Sequence, residues 1–374
     1  MKDQIIIWII NNQILKKIHM KQNVVKSAFW FILLNLMCLN VGCKNKDDVE
    51  DTEKKANESE TFVKGADIGW LPQMEASGFE FFNAQGDKED CFKILKDYGI
   101  NTIRLRTWVN PSNNPSWGHC SKDETVAMAV RAKSWDMRIM INFHYSDSWA
   151  DPLKQVKPKA WEGHSFSELL QDVYDHTFDV MTALKEVGIY PEWVQVGNEI
   201  RNGMIFPEGS TSNWPQLIQL INKGYDAVKA VSAQSKVIIH IDHGEDNALF
   251  RWWFDNAETN GAKYDIIGLS YYPYYISGNP DYTRSINDLG KNLIDMVSRY
   301  DKEVMVVEVG GEDVKAKNTY DMLMAVRKKL NSVPDNKGLG LIYWEPQAAK
   351  IWSNYPLSAW GSDGKPTIAM DAFK

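Results

Sequence analysis

From Thr61 onward, eight short runs dense in aliphatic residues alternate with longer stretches of helical periodicity, and few folds accommodate that alternation. The runs are 62–68, 102–108, 138–143, 193–197, 236–241, 266–270, 304–309 and 340–344. Several are apolar at nearly every position, as strands covered on both faces must be, which points to parallel pairing. Helical patterns fill the gaps, among them 88–98, 125–134, 166–187 and 214–232. Eight strand–helix repeats over about 300 residues predict an α/β fold closed as a (β/α)8 barrel. A doubly wound sheet would need a glycine-rich phosphate loop after the first strand, and Gly65-Ala-Asp-Ile-Gly69 lacks that spacing.

A barrel of this kind gathers functional residues at the C-terminal ends of its strands. The second run ends Arg104-Leu-Arg106-Thr-Trp108 and the third Asn142-Phe-His144-Tyr-Ser-Asp147-Ser-Trp149. The fourth ends Gly197-Asn198-Glu199, the fifth His240-Ile-Asp242-His243, and the sixth Ser270-Tyr271-Tyr272-Pro273. The seventh ends at Glu308 and the eighth at Tyr343-Trp344-Glu345. Two carboxylates delivered to one rim, here Glu199 and Glu308, are what glycosidic bond cleavage uses: one protonates the leaving oxygen, the other attacks the anomeric carbon or activates water. Arg104 and Arg106 share strand parity, so either can hold Glu308 ionised while the other serves a structural ion pair. For His144 and His240 the alternative is a satisfied core histidine, and for Trp108, Trp149 and Trp161 it is loop packing.

The chain has 374 residues, 44% hydrophobic and 24% charged, as in a soluble globular protein. A net charge of −7 gives no support to nucleic-acid binding. Tryptophan is abundant, with 15 copies beside 15 tyrosines. Such aromatics serve either a large core or a cleft whose flat rings stack on sugars.

The N-terminus reads as an export signal over residues 1–42. Met20-Lys-Gln-Asn-Val-Val-Lys26 is a basic segment, Ala28 to Val41 an apolar one too short to span a bilayer, and residues 1–19 an upstream extension. Val41-Gly42-Cys43 resembles a lipoprotein cleavage site, which would leave Cys43 lipidated and the mature chain anchored to a membrane. Residues 43–60 then form a polar, charged tether, and 61–374 the folded domain. The expected location is the bacterial outer membrane or cell surface. Cys91 and Cys120, the remaining cysteines, either pair in the oxidising exterior or stay free. No zinc-type spacing is present.

Several segments together resemble glycoside hydrolase family 53, the endo-β-1,4-galactanases of the retaining barrel clan. They are Gly65-Ala-Asp-Ile-Gly-Trp-Leu71, Ile103-Arg-Leu-Arg-Thr-Trp-Val-Asn-Pro111, His144-Tyr-Ser-Asp-Ser-Trp-Ala-Asp-Pro152, Val194-Gln-Val-Gly-Asn-Glu-Ile200, Ile267-Gly-Leu-Ser-Tyr-Tyr-Pro273, Val306-Val-Glu308 and Tyr343-Trp-Glu-Pro346. The Asn-Glu pair is common to the clan; the His144 and Ile267 segments carry the family. The resemblance implies Glu199 as general acid/base and Glu308 as nucleophile. It further implies Asn198 on the sugar 2-hydroxyl, Tyr271 or Tyr272 orienting Glu308, Trp344 as the floor beneath the sugar, and His144 and His240 on the polar rim. Asp147 and Trp149 become candidate sugar contacts, with loop shaping the alternative for Asp147. The implied substrate is β-1,4-galactan of pectin side chains, cut by a monomer with no cofactor. Another endo-glycanase of the clan (a mannanase or xylanase) and a non-catalytic glycan binder are the competing readings. The sequence departs from the family at Val309-Gly-Gly311, where members usually show Thr-Gly and an aromatic, and about 30 residues after Trp344 leave no room for a calcium-binding loop there.

Overall fold

The expected strands form β1 (Val63–Asp67), β2 (Thr102–Thr107), β3 (Arg138–Phe143), β4 (Trp193–Val196), β5 (Lys236–Ile241), β6 (Ile266–Tyr271), β7 (Glu303–Val309) and β8 (Gly338–Trp344). They pair in sequence order, all parallel, and close as a barrel through β8 and β1. This computed structural model describes residues 61–112 and 119–374; the expected signal, Cys43 and the tether lie outside them. Phe62–Lys374 makes one compact unit.

The helices between strands begin where their sequences supply caps. Ser165 and Glu168 form a reciprocal capping box ahead of Phe166–Glu186, and the Ser121 side chain accepts from Glu124 N ahead of Lys122–Ser134. Each helix lays an apolar stripe on the barrel. Leu217, Ile218, Leu220, Ile221 and Val228 do so for Trp214–Val231, all essentially inaccessible to water.

Inside the barrel the strands' inward positions change character along the axis. The lower end is plugged by Val63, Met140, Trp193, Ile238, Ile266, Met305, Val307 and Ile342, a separate apolar cluster. Two residues further along β3, β4 and β5 the same parity brings Asn142, Gln195 and His240, and Asp67 of β1, four residues beyond Val63, and Arg104 of β2 join them, all buried. At β6 that position is Gly268, where a Cβ would lie 2.7 Å from Ile238 Cγ2, so the crowded axis admits no side chain. The ladder between β6 and β7 shifts register between Leu269 and Ser270, where Leu269 opposes Val306 and Ser270 opposes Glu308. This irregularity lets both Val307 and Glu308 face the barrel interior, against strict alternation.

Candidate active site

Arg104 is the hub of the polar layer. Its Nη1 lies 2.7 Å from Asp67 Oδ2 and its Nη2 2.9 Å from Glu308 Oε1. Nη2 also donates to Asn198 Oδ1 at 3.0 Å, and Nε to Gln195 Oε1 at 3.3 Å. Burying a guanidinium is tolerable only with its donors so satisfied. Arg106, one layer higher, turns away from Glu308. It pairs with Glu345 and Asp67 and stacks on Trp149, 4.4 Å from the ring centroid. Of the two arginines expected near Glu308, Arg104 reaches it and Arg106 is the structural ion pair.

Glu199 follows a sharp turn after β4, with φ of 84° at Gly197 and 47° at Glu199 itself. Left-handed backbone at a bulky residue costs about 1–3 kcal/mol and persists where its surroundings hold it. Here Ile200 N donates to His240 O at 2.9 Å and Gln155 Nε2 to Asn198 O at 2.8 Å, pinning both sides of the turn. The half-buried Glu199 carboxyl thereby enters the same cleft as Glu308, and Ser270 Oγ donates to its Oε1 at 2.6 Å.

The two carboxyls differ electrostatically. Burial pushes Glu199 well above the ordinary carboxylic range, reinforced by the charges of Glu308 and Asp242; the Ser270 hydrogen bond and Arg104 oppose this weakly. Burial also raises Glu308, but the Arg104 charge opposes it directly and Tyr272 donates its hydroxyl to Oε2 at 3.2 Å. Glu199 is therefore the carboxyl that keeps its proton and Glu308 the one that carries charge. Burial first, then the neighbouring Tyr355 and both carboxylates, raises Tyr272, which stays protonated as a donor.

Both carboxyls line a cleft of about 690 Å³, within the ~300–1,000 Å³ usual for ligand sites. His144, Trp149, Asn198, Tyr272, Trp344 and Tyr355 line it as well. Trp344 and Tyr355 meet edge to face at 4.8 Å, and Trp149 braces Trp344 at 5.9 Å, so aromatic surface forms one wall. Beyond Glu199 the wall turns charged, with Arg201, Asp242, His243 and Glu245. Arg201 Nη1 lies 3.2 Å from Asp242 Oδ2.

Three expected site residues, Tyr271, Asp147 and His240, are placed otherwise. Tyr271 points away from the cleft and shares its hydroxyl with Ser285 Oγ at 2.9 Å, so Tyr272 alone reaches Glu308. Asp147 shapes its loop, accepting from Asn110 N at 2.9 Å and Lys159 N at 2.8 Å. His144 lines the cleft as expected, though it is only 3% exposed, whereas His240 is not a rim residue and is 0% exposed. Burial and the nearby arginines push both well below the usual histidine range, so both are neutral. Trp108 and Trp161 are packing residues: Trp108 is fully buried and meets Trp149 at 5.2 Å, and Trp161 lies against Tyr145. Cys91 and Cys120 are free, buried thiols; burial raises Cys91 well above its ordinary value and Cys120 to about 12.

Sequence reasoning gave no role to Asp67, Gln195, Ser270, Tyr355 or Glu345. For Asp67 and Gln195 the signal was there: Gln195 lies two residues along its strand from the inward Trp193, and Asp67 four residues from the inward Val63, both on the same parity. Among the described residues no group of three or more His, Cys, Asp or Glu is placed to hold a metal ion.

Comparison with known proteins converges on one group. The sequence profile of glycosyl hydrolase family 53 matches residues 63–365. An arabinogalactan endo-β-1,4-galactanase of Thermothelomyces thermophilus is 32% identical over 306 residues, covering 76% of this chain and 89% of that protein. An uncharacterised protein of Niallia circulans is 37% identical over 341 residues, covering 81% and 89% respectively. Among solved structures, one from a study of two fungal β-1,4-galactanases superposes with a TM-score of 0.75 at 30% identity, covering 83% of this chain and 98% of the other. The chain belongs to glycoside hydrolase family 53.

Proposed function

We propose that this glycoside hydrolase cleaves internal β-1,4-galactosidic bonds of galactan, the side chains of pectin, with retention of anomeric configuration. Glu308 is the nucleophile and Glu199 the general acid/base. The observation that carries the assignment is the asymmetry of the pair: Arg104 and Tyr272 converge on Glu308, whereas Glu199 has a single neutral donor and two carboxylates raising it. In the first step Glu308 attacks the anomeric carbon while Glu199 gives its proton to the departing oxygen. The anionic Glu199 then takes a proton from water as that water displaces Glu308. Since Glu199 must face the leaving group, the charged wall of Arg201, Asp242 and Glu245 receives the departing chain, and the Trp344–Tyr355 wall holds the sugar that becomes bound. The galactan preference is supported by the named relatives.

Incubating residues 61–374 with linear β-1,4-galactan, β-mannan, xylan and arabinan tests the substrate. Short galacto-oligosaccharides of mixed length from galactan alone are expected; cleavage of another polymer instead overturns the substrate assignment. Glu308→Ala is expected to abolish turnover. Glu199→Ala is expected to lose polysaccharide cleavage by ~10²–10⁴-fold while sparing glycosylation by aryl glycosides with good leaving groups. We also propose that Cys43 carries the lipid that holds the enzyme at the cell surface.

A further inference from the structure

We propose that Ser270 and His240 are positioning residues that fix which oxygen of Glu199 carries the catalytic proton, through a hydrogen-bond chain of set direction that begins at Arg104. The inference rests on Glu199 being the general acid/base. Hydrogen-bond donors and acceptors along the chain set its direction.

Arg104 offers only donors. Its Nε and Nη2 lie 3.3 and 3.2 Å from one atom of the Gln195 amide, so that atom is the oxygen. The Gln195 nitrogen must then face His240 Nδ1, 2.7 Å away, and donate to it. Glu199 N–H points at the same Nδ1 from 3.4 Å. With two N–H groups directed at it, Nδ1 is the bare nitrogen of a neutral imidazole, and the ring proton sits on Nε2. Nε2 lies 2.7 Å from Ser270 Oγ and donates to it. Ser270 has one hydroxyl hydrogen and, among the described residues, no acceptor for it but Glu199 Oε1 at 2.6 Å, so the hydrogen runs there. An oxygen that accepts this bond is the carbonyl-like one, so the acid's own proton resides on Oε2.

No link from Arg104 to Ser270 can reverse unless Arg104 moves, and Arg104 is held by Asp67 and Glu308; a proton on Oε1 would leave the Ser270 hydroxyl with no acceptor among the described residues. The arginine that keeps the nucleophile ionised thus also sets the proton's place on the acid. The chain moves no proton. It holds the acid in one of two otherwise equivalent states and, once the proton has left, still donates to the carboxylate. Without it, Glu199 would spend part of its time with the proton on the oxygen that faces Ser270 rather than on the one left to meet the leaving group.

The test uses Ser270→Ala, Ser270→Thr and His240→Leu, assayed for kcat/KM on galactan and on an aryl β-galactobioside with a good leaving group. Ser270→Ala is expected to lose about tenfold or more on galactan and under about twofold on the aryl substrate, because only the former needs acid assistance. Ser270→Thr, which keeps the hydroxyl, is expected to restore most of the galactan rate. His240→Leu should show the same split, and the double variant should be no worse than Ser270→Ala alone. Equal loss on both substrates, failure of threonine to restore, or multiplicative loss in the double variant would overturn the proposal; should His240→Leu not fold, the serine pair decides. Glu199→Ala run alongside separates the two readings. If it shows the split and Ser270→Ala does not, only the positioning role falls; if Glu199→Ala loses equally on both, the acid assignment itself falls.

Discussion

Asp242 acts on Glu199 through space, and it makes the alkaline limb of the pH profile adjustable. In the proposed mechanism Glu199 must be protonated to donate, so activity is expected to fall as pH rises through its pKa; Glu308 must be ionised, so activity is expected to fall as pH drops through its own. Burial raises Glu199 most, and the negative charges of Glu308 and Asp242 add to this, against Arg104 and Ser270. Asp242→Asn removes one raising charge, and the alkaline limb of kcat/KM should move to lower pH while the acid limb stays. An alkaline limb that does not move contradicts this account. Arg106 poses a different question, one of stability. Its removal leaves the fully buried Glu345 without a cation, while Asp67 keeps Arg104, so Arg106→Met is expected to cost ~3–5 kcal/mol in denaturant unfolding. At this scale the sequence was legible by residue type and less so by direction. Glu199 and Glu308, the carboxyls proposed as catalytic, and Arg104 stood out in the sequence because they lie at the C-terminal ends of apolar runs. His240 was assigned to the rim although it lies two residues beyond the inward Ile238, which places it in the barrel interior. Glu345 is distant from Arg106 in sequence, and no local pattern announces that partnership.

The informative element is β7. Counting alternation from Met305 and Val307, which face the barrel axis, sends Glu308 outward; the register shift against β6 brings it back. A shift of this kind leaves no mark in composition, and for the same reason Tyr271 and Tyr272 stayed interchangeable until the strand geometry separated them. The segment after β7 completes the arrangement. A Cβ on Gly310 would lie 3.2 Å from Tyr272 Cε1 and 3.2 Å from Leu357 O, so the glycine lets the Tyr272 ring approach the nucleophile strand. Gly310→Ala should displace that ring by tenths of an ångström and weaken its hydrogen bond to Glu308. A loss of ~0.5–1.5 kcal/mol corresponds to a roughly 2–12-fold fall in kcat. Melting temperature should change little. An unchanged kcat would mean that Tyr272 does not act through that bond.

The architecture of the whole domain was the most legible feature, because eight apolar runs with helical spacers allow few closures, and each predicted strand lies within two residues of the observed one. The export signal and Cys43 fall outside the described residues, and their reading stands on sequence alone. Cys43→Ser is expected to abolish metabolic labelling with palmitate and to release active enzyme from the membrane fraction; a labelled, membrane-bound variant would remove the anchor. Closure of the barrel also has a consequence in time. β1 is registered against β8 from Val63↔Gly340 to Asp67↔Trp344, and the ion pair of Arg106 and Glu345 bridges 239 residues. A ribosome adding about 5–20 residues per second delivers Glu345 roughly 10–50 s after Arg106. Throughout that interval the nascent sheet has two open edges and Arg106 lacks the second of its two carboxylate partners, so the waiting time before ring closure, set by synthesis, is when this chain most needs a chaperone's shelter.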